Sequence, residues 1–197
     1  MTDGQRFPGP APVRLEGDGL VLREWSDADL PRMVELFDEP GFRRWTPLAS
    51  PFDHAAAQAY LDRSRSRREE GTALQLAITT DGDEALGEVL MFIHPDVAEL
   101  GWGLGAGYRG RRLASRAVRI LLTWGATRWR LDRFRALIEP GNVASERVAA
   151  ACGFVASSGT PILVESRGRT VGLTAWLLPE DRLPGRDPVA NEASECR

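Results

Sequence analysis

The sequence predicts an α/β (α+β) domain: a mixed, mostly antiparallel twisted sheet flanked by helices. Three observations point there. Segments with strand periodicity and segments with helical periodicity alternate along most of the chain without a repeat or a low-complexity linker. A glycine-rich strand, Glu99 to Leu104, runs through a loop into an amphipathic helix. Two strand-like runs, Ile162 to Glu165 and Val171 to Leu178, flank Arg167-Gly168 and read as a closing hairpin.

The elements follow in order. Leu20 to Arg23 reads as a strand, and Ser26-x-x-Asp29 after it is a capping-box variant opening a helix whose apolar face is Leu30, Met33, Val34 and Phe37. A second helix is expected to open at Ser50-Pro51, hydroxyl cap then proline, and to run to Gly71. Leu74, Leu76 and Ile78 alternate as a strand, Asp81-Gly82 suggests a turn, and Val89 to Ile93 is continuously apolar, as a buried strand would be. In Glu99 to Leu104, large side chains alternate with Glu99, Gly101 and Gly103, so one face packs and the other is almost bare backbone. Leu113, Ala117, Ile120, Leu121 and Trp124 lie at helical spacing. Arg133 to Ile138 returns as a strand, Pro140-Gly141-Asn142 turns into a short Ala-rich helix that Gly153 ends, and Phe154 to Ala156 begins another strand.

Composition narrows the function classes. The chain has 197 residues, 43% hydrophobic and 27% charged, enough for one domain with a sizeable core. Residues 13–179 form that domain in this reading, with 1–12 and 180–197 expected to be flexible because they are rich in Pro, Gly and charge. A net charge of −3 argues against a dedicated nucleic-acid binder. No run approaches the ~20 apolar residues of a membrane span, and Met1 to Arg6 leads into Pro/Gly-rich sequence instead of an apolar signal core, so a cytoplasmic protein without membrane partners is expected. Two cysteines, Cys152 and Cys196, make neither a disulfide framework nor a metal set, and no metal is expected. His54 and His94 lie in unrelated segments and read as structural or surface residues.

The stretch Gly101-Trp102-Gly103-Leu104-Gly105-Ala106-Gly107-Tyr108-Arg109-Gly110-Arg111-Arg112-Leu113-Ala114-Ser115 carries the chemistry. Glycines let backbone amides approach a ligand, a helix start presents unpaired N–H groups, and arginines add charge-assisted bonds to phosphate oxygens. The helix dipole alone is worth only ~0.3–1 kcal/mol, so an exposed strand must add contacts to an elongated amide-bearing ligand such as pantetheine. The loop is neither a dinucleotide fingerprint nor a Walker loop. A solvated arginine-rich turn is the bland alternative.

Arg109-Gly110-Arg111-Arg112-Leu113-Ala114 resembles the Gln/Arg-x-x-Gly-x-Gly/Ala signature of the GNAT superfamily of N-acetyltransferases, with Arg112 at a glycine position. Asn142-x-x-Ser145 together with Gly153-Phe154, and the opening Leu20 to Arg23, resemble the Rim-type branch, which acetylates N-terminal amines of ribosomal proteins. The resemblance spans residues 13–179 and implies a GNAT-like acyl-CoA N-acyltransferase fold. It implies acetyl-CoA as co-substrate and acetyl transfer to a primary amine, a protein N-terminus or a small molecule, by direct attack. It also suggests a homodimer. By position it assigns Trp102, Leu104, Arg109, Gly110, Arg111, Arg112, Leu113, Ala114, Ser115 and Asn142 to the cofactor; Asn142 equally suits a helix N-cap.

Attack by an amine needs a neutral nucleophile, so a base should help. Glu99, at the start of the strand beside the thioester, is the first candidate and Glu165 the second. Many GNAT enzymes place a proton-donating tyrosine where Ala149 stands, and Ser145 is the substitute that the Rim-type pattern offers. The rival reading is an acyl-CoA-sensing module with little turnover, carried by Arg112 and the missing tyrosine. A nucleic-acid adaptor using the Arg109 to Arg119 patch is a weaker third. The acceptor-facing loops, expected around Arg43 to Phe52 and Gly159 to Arg169, carry no motif that names a substrate.

Overall fold

The computed structural model describes residues 11–185. A tight turn at Asp18-Gly19, both at positive φ (48° and 67°), joins β1 (Arg14–Gly17) to β2 (Leu20–Glu24), a hairpin whose first strand the sequence does not announce. The capping box forms: the Ser26 amide and hydroxyl each donate to Asp29 Oδ2 at 2.8 Å. Arg23 clamps the same carboxylate through Nη1 and Nη2 at 2.8 and 2.7 Å, directing the chain into α1 (Leu30–Phe37).

Between α1 and the long third helix lies a short one absent from the expectation, α2 (Pro40–Trp45), opened by proline and burying Phe42. The long helix, α3 (His54–Glu70), is capped by Asp53, whose Oδ1 accepts from the Ala56 amide at 2.9 Å, and not by Ser50. Ser50-Pro51, a cis peptide, lies in the lead-in, and α3 starts three residues after Pro51, so neither residue opens the helix. Gly71 ends α3 at φ 72°, as its lack of a Cβ allows.

The sheet runs β1-β2-β3-β4-β5-β6-β9-β7, with β8 paired to β9 alone. Its further strands are β3 (Ala73–Thr79), β4 (Gly87–Ile93), β5 (Ala98–Leu104), β6 (Phe134–Ile138), β7 (Val155–Ala156), β8 (Ile162–Ser166) and β9 (Arg169–Leu177). Every pairing is antiparallel except β5 with β6. α4 (Leu113–Arg128) follows β5, and α5 (Val143–Ala151) follows β6.

Period-two alternation sends side chains to two separate cores. Leu74, Leu76, Ile78, Met91 and Leu100 pack with Leu113, Val118 and Leu121 of α4. On the opposite face Ala77 joins Met33, Phe37, Phe42, Phe52, Tyr60 and Leu61 from α1, α2 and α3. Both ends of the described chain are seated. The Val13 amide donates to Glu24 Oε1, and Leu183 is buried after a 3-10 turn at Glu180–Arg182. Of the ends expected to be flexible, residues 180–185 carry this turn and bury one leucine, while 1–10 and 186–197 lie outside the described residues. No described helix is long and apolar enough to cross a membrane.

Candidate active site

The parallel pairing of β5 with β6 extends only over Ala98 with Phe134 and Glu99 with Arg135. Beyond Glu99 the two strands diverge. The Ala98 amide donates to Arg133 O on the β6 side, and the Gly105 amide to the O of Leu86, the residue before β4. Alternation between these two points turns the backbone groups of Leu100, Trp102 and Leu104 towards the opening. The ligand-facing feature of β5 is thus its edge and not its bare face. A Cβ on Gly103 would lie 2.5 Å from the Phe42 ring, and one on Gly101 would lie 2.9 Å from the Leu90 side chain, so that face is filled.

The loop then makes a 3-10 turn at Ala106–Tyr108 and enters α4. Gly110 has φ 77° and Arg112 has φ 57°, ψ 17°. The glycine preference of the family signature at the Arg112 position has a backbone reason: the residue is left-handed there. Arg112 is the N-cap of α4, and the ladder begins with the Arg116 amide on Arg112 O at 3.1 Å. The amides of Leu113, Ala114 and Ser115 precede it and have no helical acceptor. Their side chains are buried, so only backbone is presented. Ser115 Oγ donates to Arg112 O at 3.1 Å and thus braces the turn. A Cβ at Gly107 or Gly110 would meet nothing within 4 Å, which leaves open space beside the cradle.

The three arginines divide their labour. The guanidinium groups of Arg111 and Arg112 are exposed, with no hydrogen-bond or ion-pair partner among the described residues. Arg109 pairs instead with Glu39, the residue before α2, and its Nε donates to Leu104 O at 3.1 Å. Its side chain ties α2 to the end of β5.

Of the other expected residues, Asn142 is the N-cap of α5, its Oδ1 accepting from the Ser145 amide at 3.2 Å. The Ser145 hydroxyl is half-buried and has no partner among the described residues. Glu99 lies at the last paired position before the strands part, with Oε2 accepting from Arg135 Nε (2.9 Å) and ion-paired with Nη2 at 2.8 Å. His94 Nε2 stands 3.6 Å from the same oxygen. Glu165 is exposed on β8 and accepts from the Thr170 hydroxyl at 2.5 Å. Cys152 is held away from reactivity: burial pushes its thiol up to about 11, and its Sγ lies 3.4 Å from Ser115 O.

One ionisable residue that the sequence reading passed over is Glu88, the second residue of β4 and 5% exposed. Trp25 Nε1 donates to it at 2.9 Å and the Tyr60 hydroxyl lies at 2.5 Å, with Gln75 Nε2 2.5 Å from that hydroxyl. Desolvation raises its pKa to about 7. A charged residue after Gly87, inside an otherwise apolar strand, was the available signal.

Comparison with known proteins agrees with this architecture. Residues 19–155 match the model of the acetyltransferase (GNAT) domain family. A curated relative, the uncharacterized N-acetyltransferase p20 of Bacillus licheniformis, is 24% identical over 168 residues, covering 83% of this chain and 94% of that protein. Among solved structures, Mycobacterium smegmatis RimJ in complex with CoA-disulfide superposes with a TM-score of 0.73 at 20% identity, covering 88% of each chain. The ribosomal-protein-S5-alanine acetyltransferase of Vibrio fischeri gives 0.72 at 20% identity, covering 87% of this chain and 98% of that one. With a diverging β5/β6 pair, an amide-and-arginine cradle at the start of α4 and a family model spanning most of the chain, this protein belongs to the GNAT family of acetyltransferases.

Proposed function

We propose that this GNAT acetyltransferase moves the acetyl group of acetyl-CoA onto a primary amine by direct attack, within residues 13–179. The observation that carries the proposal is the cradle. Two unpaired guanidinium groups, Arg111 and Arg112, flank three unpaired amides, Leu113 to Ser115, at the end of an open strand edge. A pyrophosphate would take the amides and both arginines. The pantetheine amides would pair along Trp102 and Leu104 as an added strand does. Asn142, with Oδ1 engaged in its cap, has Nδ2 left for the same arm.

In the reaction, the amine nitrogen bonds to the thioester carbonyl carbon as the C–S bond breaks, and the nitrogen gives up a proton. Glu99 is the base that the geometry favours. Alternation places its side chain on the same face of β5 as Gly101 and Gly103, towards α2, and Oε1 is left while Arg135 holds Oε2. A water between amine and carboxylate would carry the proton. Glu165 stands second, on the hairpin that reaches α2. The sulfur leaves as a thiolate, a good leaving group with pKa ~8.5, and the Ser145 hydroxyl, without a partner among the described residues, would protonate it.

The test is calorimetric titration with acetyl-CoA, for the unaltered protein and for Arg111→Ala combined with Arg112→Gly. Glycine suits the left-handed backbone at 112, so the variant loses charge without losing the turn. Two lost charge-assisted contacts at about 1.5 kcal/mol each should weaken binding roughly 100-fold. Unchanged affinity would overturn the cradle. Tight binding without thiol release on any amine would favour the acyl-CoA-sensing reading instead.

A further inference from the structure

The mouth of the β5/β6 opening is bordered by arginines that the cradle does not use. A shallow, open cleft of about 430 Å³ is lined by Pro40, Arg43 and Arg44 of α2 and by Arg167 and Arg169 of the β8–β9 hairpin. Its position follows from contacts on both sides of the opening. Phe42 of α2 covers Gly103 of β5, while Glu139, the residue after β6, pairs with Arg44 at 2.8 Å and Arg169 at 3.5 Å. An amine approaching the β5 edge from the side opposite α4 passes this cleft.

Two of the arginines build the wall. Arg167 Nη2 donates to Thr46 O at 2.8 Å and to Arg43 O, closing the last turn of α2 against the hairpin. Arg44 lies over the Trp45 ring, 4.0 Å from its centroid, and is bound to Glu139. Arg43 and Arg169 are freer. Each is about half exposed, with its nearest carboxylate at 3.6 Å (Asp38) and 3.5 Å (Glu139) respectively. Four guanidinium groups thus face the two carboxylates Asp38 and Glu139, and the excess is positive in a protein whose net charge is −3. Glu165, further up the hairpin, is turned to Thr170. A cationic amine with no other charge would be repelled by this border, whereas an anion attached to the amine would be drawn in.

We infer that the acceptor is an amine carrying an anionic group, carboxylate or phosphate, which Arg43 and Arg169 hold while the amine reaches the thioester. This inference rests on the acetyl-transfer reading and names the substrate class within it. A peptide N-terminus followed by acidic residues and a small amino-phosphate share that chemistry.

The experiment compares kcat/KM on two sets of acceptors. One is a set of N-terminal seryl peptides differing only in having two glutamates, two glutamines or two lysines after the serine; the other is phosphoethanolamine against ethanolamine. Each is run with the unaltered protein and with Arg43→Gln/Arg169→Gln. Binding of the diglutamyl peptide to the protein saturated with CoA is measured in parallel, and acetyl-CoA affinity serves as the fold control. In at least one set the anionic member should be preferred by about tenfold or more, and the preference should fall towards one in the double variant while acetyl-CoA binds as before. The set showing the preference tells peptide from small molecule. Equal or basic-preferring turnover, or a preference that survives the double variant, overturns the inference and leaves acetyl transfer standing. If no amine is acetylated yet the diglutamyl peptide binds through the two arginines, acetyl transfer fails and the anion cleft stands; if it does not bind either, the cleft falls too.

Discussion

Two residues hold unusual states for opposite reasons. Arg112 keeps a side chain where the backbone asks for none, at a cost of about 1–2 kcal/mol, and places a second free guanidinium beside the cradle. Glu88 keeps a carboxyl group where the core asks for none. Its ordinary pKa of 4.5 becomes about 7 through burial, against the lowering effect of its Tyr60 and Trp25 hydrogen bonds. A protonated Glu88 can donate to Tyr60, whose own O–H then donates a hydrogen bond to Gln75 Oε1, a buried atom without a partner among the described residues, once that amide is turned over. The unfolded chain releases this proton near pH 4.5 and the folded chain near 7, so across that window the folded state holds more protons and stability falls as pH rises. The penalty is complete above about 7 and absent below about 4.5. Glu88→Gln should therefore be more stable than the unaltered protein at pH 8, by up to about 3 kcal/mol, with the difference shrinking towards pH 5. Urea unfolding of both proteins at several pH values measures the difference directly, since the other carboxylates titrate alike in each. Parallel pH profiles would show that Glu88 is ionised in the fold throughout.

At the scale of elements, α2 is the piece on which both halves of the site depend. Only six residues long, it buries one large side chain, Phe42, whose ring occupies the space a Cβ on Gly103 would need. Its leading end is tied to the phosphate loop through Glu39 and Arg109, and its trailing end to the β8–β9 hairpin through Arg167. Such a short helix draws its position from packing and not from its own cooperativity. Gly103→Ala should consequently push Phe42 and α2 outward instead of breaking β5. The expected cost is about 1–3 kcal/mol of stability, as for other overpacked cores. KM for the amine should rise several-fold while acetyl-CoA binding changes little, because the β5 edge faces away from the inserted methyl. A matching loss on both substrates would mean that the displacement had reached the phosphate loop, through Glu39 and Arg109 or through β5 itself.

Taken as a whole, the molecule shows which features a sequence declares. The central strands and α4 were legible because their apolar residues recur at strand or helical spacing, and the cradle because its glycines and arginines are contiguous from Gly101 to Ser115. α2 was not, since six residues with a single buried side chain show no period. Nor was the arginine cleft, because Arg43 and Arg167 are 124 residues apart and meet only when the hairpin folds over α2. The opening itself is a property of the sheet: β5 is central in sequence order yet pairs on one side for only two residues. A sheet left open in its middle has a strand edge that water or a ligand must satisfy, so a ligand that bridges edge and cradle should stabilise the whole fold. At 100 times its Kd, CoA should add about 2.7 kcal/mol, which for a chain of this size raises Tm by roughly 5–10 °C. ADP carries the pyrophosphate without the pantetheine arm and can occupy the cradle alone. At equal concentration its shift should be clearly smaller than that of CoA. Equal shifts from the two in a thermal melt would mean that the β5 edge contributes no binding, and that the divergence of β5 from β6 serves something other than the pantetheine arm.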